Sequence, residues 1–335
     1  MNKLKIKITI PGAPSNADLS QFLDIKNKAK DIDLFVNSEI ESPDCWFVIE
    51  DLDSESISCK IDPNNIYFLG SETSHEENYY KNSTLEKFLS QFAKIFSPYN
   101  TLQNEIKSIP FLPWMINSNH GKTIYDKHTR DIYYFKELKY LEKTKHLSVI
   151  CSDKKNTPGQ IKRFEFVKKI KEHFGEDIDW FGNGINQINS KWEGISKYKY
   201  HLVIENSNMD YVVSEKLFDS YLGLSFPIYF GGKKSIELLP ENSLLQIDID
   251  NFDESKKTIE KTFSDDFYNS NLENIIKTKN LICDDLNFIN RIIDISKSSS
   301  LEGKKKNITL KSIGSIQRKQ KKIFRIKKNI KKIIS

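Results

Sequence analysis

The spacing of hydrophobic and polar positions along the 335-residue chain changes period repeatedly. Leu4, Ile6, Ile8 and Ile10 alternate with Lys3, Lys5, Lys7 and Thr9. That period of two predicts a half-buried strand, which Pro11-Gly12-Ala13-Pro14 ends. Apolar runs at 45–49 and 66–69 read as further strands, and Leu85, Phe88, Leu89, Phe92 and Phe96 share one face of a helix predicted over 85–96. After a connecting region at 100–145, with a helix predicted over 132–141, a second series begins. It comprises a strand at 147–151, a helix at 160–174, strands at 178–181 and 201–204, a helix at 215–222 and strands at 226–230 and 244–247. Thr157 as N-cap, Pro158 at the first helical position and Gln160 mark the start of the 160–174 helix, with Ile161, Phe164, Val167, Ile170 and Phe174 expected inward. Residues 254–297 read as helical. Strands alternating with helices predict parallel α/β sheets, and the length suits two domains.

Composition narrows the function classes. From Lys304 to Ser335 there are 13 Lys/Arg and no Asp/Glu, so the first 303 residues hold 38 basic against 46 acidic side chains. A mildly acidic body is not a nucleic-acid-binding body, and no nucleic-acid partner is expected. Cys45, Cys59, Cys151 and Cys283 lie far apart without metal-ligand spacing, which points to reduced thiols and a cytoplasmic setting. No apolar run is long enough for a membrane span. The last stretch, with Ile316, Ile323, Ile326, Ile330 and Ile333 among lysines, reads as a basic amphipathic helix suited to an anionic membrane surface. A solvated tail is the alternative. Asp-x-Asp pairs at 31/33, 51/53, 177/179 and 248/250 occur in an acidic sequence that makes chance matches common, and no obligatory metal is expected.

The chemistry-bearing residues gather in 198–232, a strand, a polar loop, a helix start and a second strand. Ser214 is an N-cap that puts Glu215 and Lys216 in the first helical turn, where free amides and the helix dipole attract an anion. Lys216 there is either a solvated lysine or a point charge for a diphosphate. Arg163, on the helix after the 147–151 strand, is either a surface arginine or a bidentate phosphate ligand. Glu72 follows the 66–69 strand in Phe-Leu-Gly-Ser-Glu-Thr, with His75, Glu76 and Glu77 near it as other candidates for a general base. Phe181-Gly182-Asn183-Gly184 follows a strand and is a weak signal for close backbone approach to a ligand.

The ordered run Tyr198-Lys199-Tyr200, apolar strand, Glu205-Asn206-Ser207, loop, Asp210-Tyr211-Val212-Val213-Ser214-Glu215-Lys216, then Pro227-Ile228-Tyr229-Phe230-Gly231, resembles the donor-sugar motif of glycosyltransferase family 10, the α-1,3/1,4-fucosyltransferases. The resemblance implies two Rossmann-like domains facing a cleft, the glycosyltransferase B type, with a basic helical C-terminal tail. The corresponding boundaries are 1–143 for an acceptor-side domain, 144–300 for a donor domain and 301–335 for the tail. It implies an inverting transfer of L-fucose from GDP-fucose, as donor substrate and not as a bound cofactor, to a hydroxyl of a bacterial surface glycan. Ser152, Arg163, Asn206, Tyr211, Glu215 and Lys216 become donor-binding residues and Glu72 the catalytic base. An oligosaccharide or glycolipid acceptor and peripheral attachment to the inner face of the membrane complete the expectation. One departure stands out. Tyr211 lies five positions before Lys216, where the family places its tyrosine four before, so Val212 occupies that place. Another nucleotide-sugar donor, or an idle binding protein of the same fold, are the alternatives.

Overall fold

The computed structural model describes residues 3–73, 75–101, 104–119, 122–264 and 267–334, with the side chains of 264 and 324–334 excepted. The chain divides into two compact units. One comprises Met1–Ala17, Ala29–Phe111 and Ile292–Ser335, and the other Asp18–Lys28 and Leu112–Arg291. The chain therefore leaves and re-enters each unit, whereas the sequence alone suggested a simple succession with a boundary near 143.

The first unit holds β1 (Leu4–Thr9), β2 (Ile32–Val36), β3 (Cys45–Ile49), β4 (Ser56–Ile61), β5 (Ile66–Leu69), α1 (Ser83–Leu89), β6 (Lys94–Ser97) and β7 (Glu105–Lys107). Six of these strands form a parallel sheet in the order β2-β1-β3-β5-β6-β7. β1 is an inner strand with neighbours on both edges, so its alternation misled: Lys7 and Thr9 are as buried as the isoleucines between them. The Lys7 ammonium stays hydrogen-bonded by reaching the Ser38 carbonyl at 2.7 Å. The helix expected over 85–96 is shorter. α1 stops at Leu89, and 94–97 joins the sheet as β6, because pairing with β5 and β7 outweighs the helical periodicity of Phe92 and Phe96.

The second unit holds α2 (Ile132–Glu137), β8 (Lys145–Ile150), α3 (Pro158–Phe174), β9 (Ile178–Phe181), α4 (Lys191–Ile195), β10 (Tyr198–Ile204), α5 (Glu215–Leu222), β11 (Phe226–Phe230), α6 (Lys233–Ile236) and β12 (Leu245–Gln246), then α7 (Phe252–Ser264), α8 (Phe267–Ser270), α9 (Leu272–Leu281) and α10 (Phe288–Lys297), the last crossing the division between units. Its five parallel strands run β12-β11-β10-β8-β9. The Thr157 side chain caps α3 by accepting from Gln160 N–H, as its sequence predicts. Val167 and Ile170 face inward as expected, but Arg163 and Phe166 are buried with them, while Ile161 is exposed. An arginine occupies the place that hydrophobicity alone assigned to its apolar neighbours.

The basic C-terminal segment is partly built into the first unit. β13 (Lys306–Lys311) pairs antiparallel with β4, and α11 (Ile313–Ile334) follows. Gln320 bonds Thr84 and the Ser83 carbonyl at the start of α1. Among the described residues no helix is long and apolar enough to cross a membrane.

One titration follows from the second sheet. His201 on β10 is buried, and its Nδ1 lies 2.8 Å from Ser148 Oγ. That hydroxyl donates its single proton to the Gly194 carbonyl, so the imidazole is the donor to it. Burial, aided by the Lys191 and Lys143 cations, lowers the His201 pKa from 6.5 to about 3. Below pH 6.5 the unfolded chain takes up a proton that the folded chain refuses, so stability falls with pH by about 1.4 kcal/mol per unit from this group. His201→Gln should therefore lose about 1.5–2 kcal/mol less than the parent protein between pH 6.5 and 5 in urea unfolding.

Candidate functional site

The second sheet reverses its winding between β8 and β10: β9 lies to one side of β8, β10 and β11 to the other. Open parallel sheets bind ligands outside the carboxyl ends of the strands at such a switch point. A cleft of about 540 Å³ lies there, and every residue lining it belongs to the second unit. Ser152 enters it from the end of β8, Arg163 from α3, Gly182 and Asn183 from the end of β9, Lys191 from α4, and Glu215, Lys216 and Asp219 from α5.

Arg163 is 7% exposed, and its Nε has no hydrogen-bond partner among the described residues. A buried N–H left unpaired costs about 1–3 kcal/mol. The α5 start is built on Glu205, the first residue after β10. Its side chain is wholly buried and accepts from Ser214 N–H at 2.7 Å and from Ser214 Oγ at 2.7–2.8 Å. Ser214 in turn caps α5, and the Lys216 ammonium donates to Ser214 Oγ at 2.8 Å and lies 3.5 Å from Glu205. The first turn of α5 thus presents amides and a lysine to the cleft, an arrangement that suits a phosphate.

Beside it lies a second ion network. Lys191 Nζ is 3.0 Å from Glu215 and 2.8 Å from the fully buried Asp219. Burial opposes the charge on Lys191, but the two carboxylates outweigh it and hold the ammonium protonated above its ordinary range. Burial likewise opposes the Glu215 anion, yet Lys191 and Lys216 hold its carboxyl well below the ordinary value. Asp219, deeper and beside another carboxylate, is pushed upward instead.

Of the donor residues expected from sequence, Ser152, Arg163, Glu215 and Lys216 line this one cleft, and Asn206 and Tyr211 do not. Asn206 lies behind the wall: its buried Oδ1 is unpartnered, and its carbonyl meets Gly159 of α3. Tyr211 is half-buried on the loop before α5, and Val212 is fully buried with its carbonyl accepting from Gly232 N–H. Gly182 has φ 147°, and a Cβ there would strike the Cys151 carbonyl at 2.5 Å, so what this glycine admits is the end of β8, not a ligand. Sequence reading missed Glu205, Lys191 and Asp219. The signal for Asp219 was an acidic residue on a helix whose neighbours Leu217, Phe218, Tyr221 and Leu222 are all apolar.

Glu72 belongs to the first unit, where it is exposed after β5. Its backbone is fixed by Glu50, just beyond β3, which also escaped the sequence reading. Glu50 adopts φ 62°, a conformation rare outside glycine and asparagine, and its Oε1 accepts from the Ser71 and Glu72 amides while Oε2 accepts from Tyr80 Oη at 2.6 Å. His75 stacks on Tyr79 at 3.4 Å, and burial lowers its pKa against the pull of Glu50 and Glu72. Among the described residues no group of three or more His, Cys, Asp or Glu side chains is placed to hold a metal.

Residues 140–264 match the family model for the C-terminal part of glycosyltransferase family 10 (fucosyltransferase). Among solved structures, an α1,3-fucosyltransferase crystallised with GDP is 17% identical, over 88% of this chain and 91% of that one, with a TM-score of 0.46. A second α1,3-fucosyltransferase structure is 17% identical over 81% of each chain, with a TM-score of 0.49. The Anabaena protein HepE in complex with UDP-glucose is 10% identical over 88% and 100%, with a TM-score of 0.45. No curated protein matches the chain.

The wall of the cleft generates a packing test. A Cβ on Gly159 would lie 1.9 Å from the Asn206 carbonyl oxygen, a backbone atom that can move only if α3 and the Glu205–Asn206 turn separate. Gly159→Ala should destabilise the protein by about 1–3 kcal/mol in urea unfolding, whereas Lys162→Ala on the exposed face of the same helix should change it by less than about 0.5 kcal/mol.

Proposed function

We propose that this chain, a glycosyltransferase by the family match of its second unit, transfers L-fucose from GDP-fucose to a hydroxyl of a bacterial surface glycan. The observation that carries the reading is the cleft at the β8/β10 switch point, where a buried arginine lines the same space as the lysine-bearing start of α5. That combination suits a diphosphate: a planar fork that never loses its charge, a point charge and a helix end.

On this reading Arg163, Lys216 and Ser152 hold the donor diphosphate, and Glu215 contacts the nucleotide-sugar. Asn206 and Tyr211, outside the cleft lining, act through the loop that carries them. The reaction is a single displacement with inversion. Glu72 takes the proton of the acceptor hydroxyl, that oxygen forms the new bond to the anomeric carbon, and the bond to the phosphate oxygen breaks with its electron pair leaving on GDP. Arg163 and Lys216 stabilise the negative charge that develops on the departing diphosphate, without a metal. The Glu50 grip on the Ser71 and Glu72 amides supports this role for Glu72, since a base needs a fixed backbone. The 13 Lys/Arg of the last 32 residues, with isoleucines between them, favour peripheral attachment to an anionic inner membrane face, where a lipid-linked acceptor would be presented.

Calorimetric titration with GDP, UDP, CMP and GDP-fucose in EDTA tests the donor site. GDP and GDP-fucose should bind selectively. Arg163→Ala and Lys216→Ala should each weaken GDP by about 10- to 100-fold, the range for a lost charge-assisted contact. Binding of GDP without GDP-fucose would move the reading to another GDP-sugar. Glu72→Gln should bind GDP-fucose as the parent does and lose turnover; full activity in that variant removes Glu72 from the mechanism. Removal of residues 313–335 should abolish co-sedimentation with phosphatidylserine vesicles and leave GDP affinity unchanged.

A further inference from the structure

We propose that Lys191 is a positioning residue for donor recognition: it clamps the Glu215 carboxylate against the immobile Asp219 and so keeps Glu215 turned to the donor and from closing further on Lys216. The proposal rests on the donor reading above and deepens it.

Lys191 is the first residue of α4, a helix of five residues. A cation at a helix start works against the helix dipole, so α4 itself gains nothing from a lysine there. What holds the ammonium is α5: Nζ lies 3.0 Å from Glu215 Oε1 and 2.8 Å from Asp219 Oδ2. Asp219 cannot follow a moving partner. It is fully buried, and its Oδ1 accepts from the Met115 N–H at 2.9 Å. Met115, Lys191, Glu215 and Asp219 all line the cleft. The chain of contacts therefore runs from a fixed backbone amide, through a fixed carboxylate and an ammonium, to a glutamate that keeps 18% of its side chain exposed.

Two consequences separate this clamp from ordinary packing. Glu215 and Asp219 are four residues apart on one helix face, so without Lys191 they are a repelling pair. Glu215 also has a second cation within reach, since Lys216 Nζ lies 3.8 Å from the same Oε1. Released from Lys191, Glu215 would turn to Lys216 and compete with the diphosphate for it. Lys191 thus acts on the donor only through Glu215.

A double-mutant cycle on the full chain tests this, with GDP-fucose and GDP titrated by calorimetry against the parent protein, Lys191→Met, Glu215→Gln, Arg163→Ala and the pairs of Lys191→Met with each of the other two. Lys191→Met should weaken GDP-fucose by about tenfold, and in the Glu215→Gln background it should add less than about threefold, whereas with Arg163→Ala the two losses should multiply. Lys191→Arg, which keeps the cation, should bind within about threefold of the parent. Lys191→Gln, which keeps an N–H donor, replaces the methionine variant should that one fail to fold. Parent-like binding by Lys191→Met, or losses that multiply in the Glu215→Gln background, overturns the clamp while leaving the donor site standing. Failure of the parent protein to bind any of the nucleotides overturns the donor reading and the clamp with it.

Discussion

The buried carboxylate of Glu205 is the constraint on which the second unit depends. A charge with no exposed surface must be met by donors, and Glu205 finds them in the backbone and hydroxyl of Ser214, nine residues on. That fixes where α5 begins, and the rest of the motif follows. The loop between them must fold back tightly, so the Gly231 and Gly232 positions lie against it: a Cβ on the first would meet Tyr229 Oη at 2.0 Å and Glu205 Cγ at 2.8 Å, and one on the second the carbonyls of Met209, Asp210 and Val212. The α3 start is drawn against Asn206 for the same reason. What looks in the sequence like a string of separate motif positions is one packing solution around one anion.

The first unit uses the same device on a smaller scale. Glu50 lies just beyond β3, as Glu205 lies just beyond β10, and its carboxylate caps the amides of the segment after the neighbouring strand. In both places a side chain at a strand end does for an irregular segment what a ladder does for a strand: it satisfies the amides and so fixes the segment's path. At Glu50 the arrangement includes a left-handed backbone, which persists only because Ser71, Glu72 and Tyr80 all bind the same carboxylate.

The legible parts of the fold were those where local pattern and tertiary contact agree. α5 and β11 appear with the bounds their periodicity indicates, and α3 carries the N-cap that Thr157-Pro158-Gly159-Gln160 announces. Ser152, Glu215 and Lys216 were legible as candidates because each follows a strand or opens a helix in a recognisable run, and Arg163 because the resemblance implied it. The misses have another character. Lys191 and Glu50 act on residues more than twenty positions away, through contacts that no window of sequence contains. Phe92 and Phe96 continue a helical period into a strand, because pairing with β5 and β7 on either side leaves no local trace. Residues 18–28 and 292–335 change units because tertiary packing, not composition, decides where they belong.

The charge pattern of the cleft also orders the proposed binding event. Lys191 is neutralised by two carboxylates, and Lys216 already shares Ser214 and Glu205. Arg163 differs from both, because its buried Nε is unpartnered and desolvation has been met before any ligand arrives. On the proposed reading an incoming diphosphate gains most at Arg163, which has no carboxylate partner to give up among the described residues. At Lys216 it must displace a 2.8 Å hydrogen bond to Ser214, and the net gain is a difference between two contacts. On the proposed reading Arg163 contributes affinity for the anion itself. Lys216, on the first turn of α5 and tied to the anion that builds that turn, contributes on the same reading the geometry in which the diphosphate can leave.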